Sequence, residues 1–231
     1  MRYLGGKSKI AKRLVSIIAP TYTDIALYEP FMGGGAMTAA LAPRFKHVYA
    51  SDLHEDLILM WKALQNGWQP PKTISETEYQ NLKNSDPSPL RGFAGFAGAS
   101  WGGKWFGGYA RGGSRNYADE AARSLNRDIQ FMQNVYFNQK SYLDVVPYPG
   151  STLYADPPYV GTTGYGFKFD HIEFWARMSE IADSGVKVFV SEYTAPPDWS
   201  CVWELTRTRD MKSHLTDAVS VTERLFYKGP K

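Results

Sequence analysis

Apolar positions in this chain follow two periods in turn, and the alternation lays out a sequence of elements. Short apolar runs at 25–28, 47–51, 135–137, 151–155 and 186–190 are rich in β-compatible residues and bounded by Gly, Pro or polar positions, the pattern of buried strands. Helical spacing falls between them. Ile10, Leu14, Val15, Ile17 and Ile18 form one face against Lys7, Lys9, Lys12 and Arg13, with Pro20 as the stop. Further helices are predicted over 36–41, 55–64, 114–133 and 170–183. Strand and helix in alternation predict an α/β fold with a Rossmann-like, mostly parallel sheet. Runs at 201–206 and 219–227, separated by a polar loop at 208–217, predict a closing antiparallel pair.

The pattern breaks at 69–134. Pro70-Pro71 interrupts it, a short polar helix begins near Ser75-Glu76, and Asp86-Pro87-Ser88-Pro89 interrupts it again. From Leu90 to Tyr117 there is no acidic residue, while Arg91, Lys104, Arg111 and Arg115 are interleaved with seven aromatic rings, Trp101 and Trp105 among them. Cations mixed with rings suit a surface that meets phosphates and exposed bases. The same rings would also serve as a small aromatic core, but a flexible linker does not carry so many.

Composition narrows the class. A chain of 231 residues is long enough for one sizeable core with an inserted subdomain, and 43% hydrophobic with 21% charged residues is ordinary for a globular protein. The net charge of +3 permits nucleic-acid binding without requiring it. Cys201 stands alone, which excludes an internal disulfide framework and a multi-cysteine zinc site. The four histidines show no ligand spacing, so no metal is expected. No run approaches the roughly 18 apolar residues of a membrane span, and the N-terminal residues have no signal-like apolar core. A soluble cytoplasmic protein with no membrane partner is the expectation.

Three stretches carry candidate chemistry. In Asp156-Pro157-Pro158-Tyr159 the carboxylate ends the strand 151–155, and two prolines without N–H leave the carbonyls of Asp156 and Pro157 as acceptors. One carboxylate oxygen and one carbonyl take both hydrogens of a planar –NH2, and the Tyr159 ring stacks on its plane. A proline turn with a capping aspartate is the plainer alternative. In Glu29-Pro30-Phe31-Met32-Gly33-Gly34-Gly35, a glycine turn joins a strand to a helix, and Asp52 ends the next strand, where an acid takes ribose hydroxyls. Asp52 is also placed to cap the helix after it. The third glycine of a dinucleotide fingerprint is missing, which favours S-adenosylmethionine over NAD. Gly5-Gly6-Lys7-Ser8 ends like a P-loop, but Met1 stands where the first glycine belongs, so nucleoside-triphosphate binding is rejected. Ser191-Glu192-Tyr193, at the carboxyl end of the strand 186–190, either lines the same pocket or simply ends the strand.

These motifs resemble, in order and spacing, those of the Dam-like (D12 class) DNA adenine-N6 methyltransferases: an opening aromatic-x-x-G-K in Tyr3 to Lys7, the E-P-F-x-G-x-G run at Glu29 to Gly35, Ser51-Asp52-Leu53, and D-P-P-Y. The resemblance implies a site-specific DNA methyltransferase acting on a flipped adenine, with S-adenosylmethionine as donor, S-adenosylhomocysteine as product and no metal. It implies a cofactor site at Tyr3, Lys7, Glu29, Phe31, Gly33, Gly35, Asp52, Phe137 and Asp156, and a catalytic set of Asp156, Pro157 and Tyr159. Residues 1–68 and 135–231 would form the catalytic domain, with 69–134 as an inserted target-recognition region contacting double-stranded DNA through Lys104, Arg111, Arg115, Trp101 and Trp105. A bacterial or phage-infected cell is the implied setting, for a monomer or weak dimer, with or without a partner restriction nuclease. The alternative is an N-methyltransferase of the same fold acting on RNA or another planar amine.

Overall fold

The computed structural model describes residues 1–111, 113–159, 169–209 and 219–230. The loop expected after D-P-P-Y at 160–166 and most of the polar loop at 208–217 lie outside the described residues. The chain divides into two compact units, Met1–Val145 and Val146–Lys231.

The first unit begins with α1 (Ala11–Ile18), β1 (Thr23–Glu29), α2 (Ala36–Leu41), β2 (Phe45–Asp52) and α3 (Glu55–Gln65). Strand β1 pairs in parallel with β2, and β2 with β3 (Val135–Gln139). Leu14, Leu27, Val48, Leu57, Trp61 and Leu125 are fully buried around these strands, which removes the apolar faces of α1 and α3 from water. Between α3 and β3 come α4 (Glu76–Lys83), α5 (Pro89–Gly92) and α6 (Tyr117–Ile129). Ser75 starts α4 by accepting the amide of Glu78, and Asn116 starts α6 by accepting that of Asp119. Helix α6 is therefore shorter at both ends than the span 114–133.

The aromatic stretch after α5 divides its rings. Residues Phe93–Gly98 form a wide helical turn that is buried throughout. A Cβ on Gly95 would come within 2.4 Å of the Trp105 ring, and one on Gly98 within 2.5 Å of the Phe93 ring. The small residues there are spacers that admit large rings, so much of this stretch is an aromatic core.

The second unit contains β4 (Thr152–Ala155), α7 (His171–Asp183), β5 (Lys187–Glu192), β6 (Ser200–Arg209) and β7 (Val219–Lys228). Strands β4 and β5 are parallel, whereas β7 pairs antiparallel with both β5 and β6. Asp170 caps α7 by accepting the amides of Ile172 and Glu173, and Gly185, at φ 94°, turns the chain into β5. The fold is thus α/β, with parallel pairs among β1 to β5 and an antiparallel closing pair, as the apolar pattern predicts. Among the described residues no helix is long and apolar enough to cross a membrane.

Candidate functional site

In the first unit the candidate chemistry gathers on the turn between β1 and α2. Gly33 (φ 46°) and Gly35 (φ 69°) both take the left-handed conformation that a Cβ disfavours. The turn closes on itself through the Gly35 amide and Met32 carbonyl at 2.8 Å, and is tied to β2 by the Met32 amide and Ser51 carbonyl at 3.0 Å. Asp52 braces it from the end of β2. Its Oδ2 accepts the Gly33 amide and its Oδ1 the His54 amide, each at 2.9 Å. Each carboxylate oxygen keeps capacity for a further donor. Burial lifts the Asp52 pKa above the ordinary aspartate value, against the lowering pull of the backbone amides of His54, Gly33 and Leu53. The expected cap of α3 takes a different form: His54 occupies the cap position without a side-chain bond, and Asp52 holds the His54 amide instead.

Tyr3 lies across the same turn. A Cβ on Gly33 would sit 2.7 Å from Tyr3 Cε1, and one on Gly34 would sit 2.5 Å from Tyr3 Cβ. From the other side, a Cβ on Gly35 would meet Trp61 Cζ2 at 2.6 Å. Tyr3, Gly33, Gly35 and Asp52 are therefore brought together. Lys7 is buried, with Nζ 3.3 Å from the Gly5 carbonyl. Glu29, at the end of β1, is buried, and Phe31 stacks on Tyr142 with ring centres 5.3 Å apart. Phe137 behaves differently. Its ring is buried and stacked on Trp61, so it packs into the core with the ring that also meets Gly35.

The inserted residues fall into two groups. Trp101 is 58% exposed, at the head of a loop closed by its amide on the Gly108 carbonyl at 2.8 Å and by the Ser100–Tyr109 bridge. Lys104, in the same loop, is exposed. Arg111 is exposed and pairs with Glu76, while Arg115 holds Glu120 with Nε at 3.0 Å and Nη2 at 2.6 Å. Trp105, in contrast, packs edge-on against His54 with centres 4.2 Å apart and lies against Phe96 and Phe106. It belongs to the aromatic core. The loop is also attached to the N-terminal arm, because the Leu4 amide donates to the Gly103 carbonyl at 3.2 Å.

A pair that sequence reasoning missed ties the insertion to α3. Asp56, buried on α3, accepts Arg91 Nη1 at 2.7 Å and the Ser88 amide at 2.9 Å. An acidic residue on the apolar face of a predicted helix was the available signal.

In the second unit, Asp156 follows directly on β4, as the apolar run requires. Tyr159 lies edge-on to Tyr193, with centres 4.6 Å apart and planes at 80°. Burial pushes the Tyr159 phenol well above its ordinary pKa, and the Asp156 carboxylate adds to the effect. The phenol therefore stays neutral. Glu192 ends β5 and Tyr193 follows it, while the Tyr154 hydroxyl lies 2.9 Å from Ser191 Oγ.

The glycine turn and its aspartate fall in a stretch with known relatives. Residues 3–90 match the family model of the D12 class N6 adenine-specific DNA methyltransferases. That match supports methyl transfer as the activity. No curated protein matches the chain. Several solved structures resemble it distantly. An rRNA methyltransferase, aviRa, from Streptomyces viridochromogenes is 13% identical with a TM-score of 0.43, the match covering 96% of this chain and 83% of that one. An rRNA methylase from Streptococcus thermophilus is 11% identical with a TM-score of 0.42, covering 96% of each chain. A precorrin 8W decarboxylase from Methanobacterium thermoautotrophicum is 13% identical with a TM-score of 0.41, covering 95% and 89%. Likeness at this distance says nothing of substrate.

Proposed function

We propose that this protein transfers the methyl group of S-adenosylmethionine to N6 of an adenine turned out of double-stranded DNA. The observation that carries this reading is the Gly33–Asp52 turn, a braced glycine bend with a carboxylate, lying inside the residues that match the D12 class. The donors and acceptors fit the cofactor. Asp52 has acceptor capacity left for two ribose hydroxyls, and Gly33 and Gly35 let Tyr3 and Trp61 pack directly on the bend. Tyr3, Lys7, Glu29 and Phe31 complete the cofactor's surroundings, with Lys7 as the counter-charge to its carboxylate. When bound, the cofactor supplies an electrophilic methyl group on a sulfonium.

The chain's own residues act on the amine. The Asp156 carboxylate and the Pro157 carbonyl accept the two N6 hydrogens, which lets the nitrogen leave the plane of the ring. The carboxylate then stabilises the positive charge that develops on nitrogen during transfer. Tyr159, kept neutral, offers a flat face against which the extruded base stacks. Residues 69–134 supply recognition, with Lys104, Arg111, Arg115 and Trp101 toward the DNA and Trp105 supporting them from within. The rest of the chain binds the cofactor and carries the chemistry.

The test is transfer of labelled methyl from S-adenosylmethionine to unmethylated duplex DNA, to RNA and to protein, followed by digestion of the DNA to nucleosides. The expected product is N6-methyldeoxyadenosine. Label confined to RNA or protein, or to N4 of cytosine, would replace this reading with another N-methyltransferase.

A further inference from the structure

Tyr193 is held in an unusual way for a residue that merely ends a strand. Its amide donates to Glu192 Oε1 at 2.7 Å, and its carbonyl accepts Arg224 Nη1 at 2.6 Å. Glu192 is 1% exposed, and the register of β5 and β7 puts it opposite Arg224. Arg224 is fixed in turn from β6, where Glu204 Oε2 lies 3.2 Å from its Nε. Sheet pairing ends at Glu192, so both main-chain groups of the next residue are taken over by charged side chains. Charge-assisted bonds of this kind are short and strong, and they define orientation better than a frayed strand end does.

What they orient is a ring. Tyr193 meets Tyr159 edge-on, and Tyr159 follows two prolines that have no N–H with which to tie their segment to a neighbouring strand. What the Tyr159 side chain touches, the Tyr193 edge included, fixes the plane of its ring. We infer that Tyr193 is a positioning residue for the platform that receives the target base, its backbone held by the clamp of Glu192 and Arg224. This rests on the proposed base-stacking role of Tyr159. Through the edge-to-face contact, Tyr193 sets the plane on which the base must lie for its amine to reach Asp156.

The inference is tested in the full-length protein by Tyr193→Ala, Tyr193→Phe, Tyr159→Ala and the Tyr159→Ala/Tyr193→Ala double variant. Aromatic edge contacts are worth enough that Tyr193→Ala should lower kcat by about threefold to tenfold. S-adenosylmethionine affinity should not change, and Tyr193→Phe, which keeps the ring, should restore most of the rate. The second readout is DNA carrying 2-aminopurine at the target position, whose fluorescence reports how the extruded base is stacked. Tyr193→Ala should brighten that signal in the bound complex, and the double variant should match Tyr159→Ala alone in both rate and fluorescence. Additive losses in the double variant, or wild-type fluorescence in Tyr193→Ala, would overturn the inference. Failure of the wild-type protein to methylate adenine in any DNA would instead overturn the proposed function, so the two failures are distinguishable.

Discussion

Asp52 Oδ2 and the main-chain nitrogen of Gly33 lie 2.9 Å apart, although 19 positions separate them in the chain. This bond makes the end of β2 and the glycine turn after β1 one structural feature. Its acceptor is a carboxylate that burial disfavours in its charged form. The amides of Gly33 and His54 that point at it favour the charged form, and they leave part of each oxygen free for an outside donor.

Removing that carboxylate should act on the cofactor. Charged hydrogen bonds are worth about 1.5–3 kcal/mol, so Asp52→Ala should weaken S-adenosylmethionine binding by roughly tenfold to a hundredfold in calorimetry. The pH dependence has a definite sign. The ionised carboxylate is the better acceptor for ribose hydroxyls, and its raised pKa means that it takes up a proton before an ordinary aspartate would as pH falls. Affinity should therefore decline at the acid end from a pH above the usual aspartate range, and Asp52→Asn should lose that limb. A wild-type affinity independent of pH down to the ordinary aspartate value would remove Asp52 from the site.

Two glycines of the turn should rank in a fixed order. A left-handed conformation costs a residue with a Cβ about 1–2 kcal/mol, and Gly33→Ala bears that cost plus a contact with the Tyr3 ring. Gly35→Ala bears the same backbone cost, but its Cβ meets Trp61, which is fully buried and walled in. Urea denaturation should find Gly35→Ala the less stable. Tyr3→Ala should relieve part of the Gly33→Ala defect and none of the Gly35→Ala defect.

How far the sequence disclosed these features depends on how local they are. The turn from Gly33 to Gly35 and the placement of Asp52 follow from strand, glycine and acid at short spacing, so pattern alone located them. Phe137 shows a pattern not used fully. Val135 and Phe137 share one face of β3 and Tyr136 the other, so the burial of Val135 already directed Phe137 into the core. Trp101 and Trp105 look alike in composition, and only tertiary packing separates the exposed ring from the buried one. Strand β6 runs past Thr206 because residues 207–209 continue the ladder with β7 beyond the Thr206–Thr222 pair, whose hydroxyls lie 2.9 Å apart. Local propensity does not reveal such a partner. The Asp56–Arg91 pair spans 35 positions, and no short motif could have announced it.

That pair makes a stability prediction. Breaking a buried ion pair by removing one partner costs about 3–5 kcal/mol, because the other charge is left uncompensated. Arg91 is partly exposed, so Asp56→Ala should fall at the low end, near 3 kcal/mol by chemical denaturation. Replacing both residues by apolar ones of similar size should recover part of the loss. If Asp56→Ala unfolded at the wild-type urea concentration, the pair would contribute nothing to holding α5 against α3.

Removal of the Asp156 carboxylate should separate chemistry from binding. One preorganised polar contact in the transition state is worth roughly 2.7–4 kcal/mol, so Asp156→Ala should slow transfer by about a hundredfold to a thousandfold. Any cofactor contact that Asp156 makes should cost no more than a few fold in affinity. Turnover close to wild type in this variant would exclude the carboxylate from the reaction.

Specificity should reside in the exposed cations of the insertion, and the structure makes that expectation sharper than composition did. Arg111 pairs with Glu76 and Arg115 with Glu120, in both cases at the surface. Such surface pairs contribute little to stability, so a phosphate or guanine can displace the carboxylate. Arginine's fork suits a bidentate guanine contact, so Arg111→Ala should cost about 1–3 kcal/mol on the preferred site and relax selection at one base. Lys104 has the chemistry of a phosphate contact, and Lys104→Ala should weaken all sequences alike while lowering the salt slope by about one. Glu76→Gln adds a test that only the ion pair suggests. Releasing Arg111 and removing a negative charge beside it should tighten binding to unrelated DNA at low salt and narrow the ratio between preferred and unrelated sites. Binding measured by fluorescence anisotropy over a salt series, on both kinds of duplex, would check all three variants. If Glu76→Gln left affinity for unrelated DNA unchanged, Arg111 would not face the duplex, and base readout would have to come from the loop that carries Trp101.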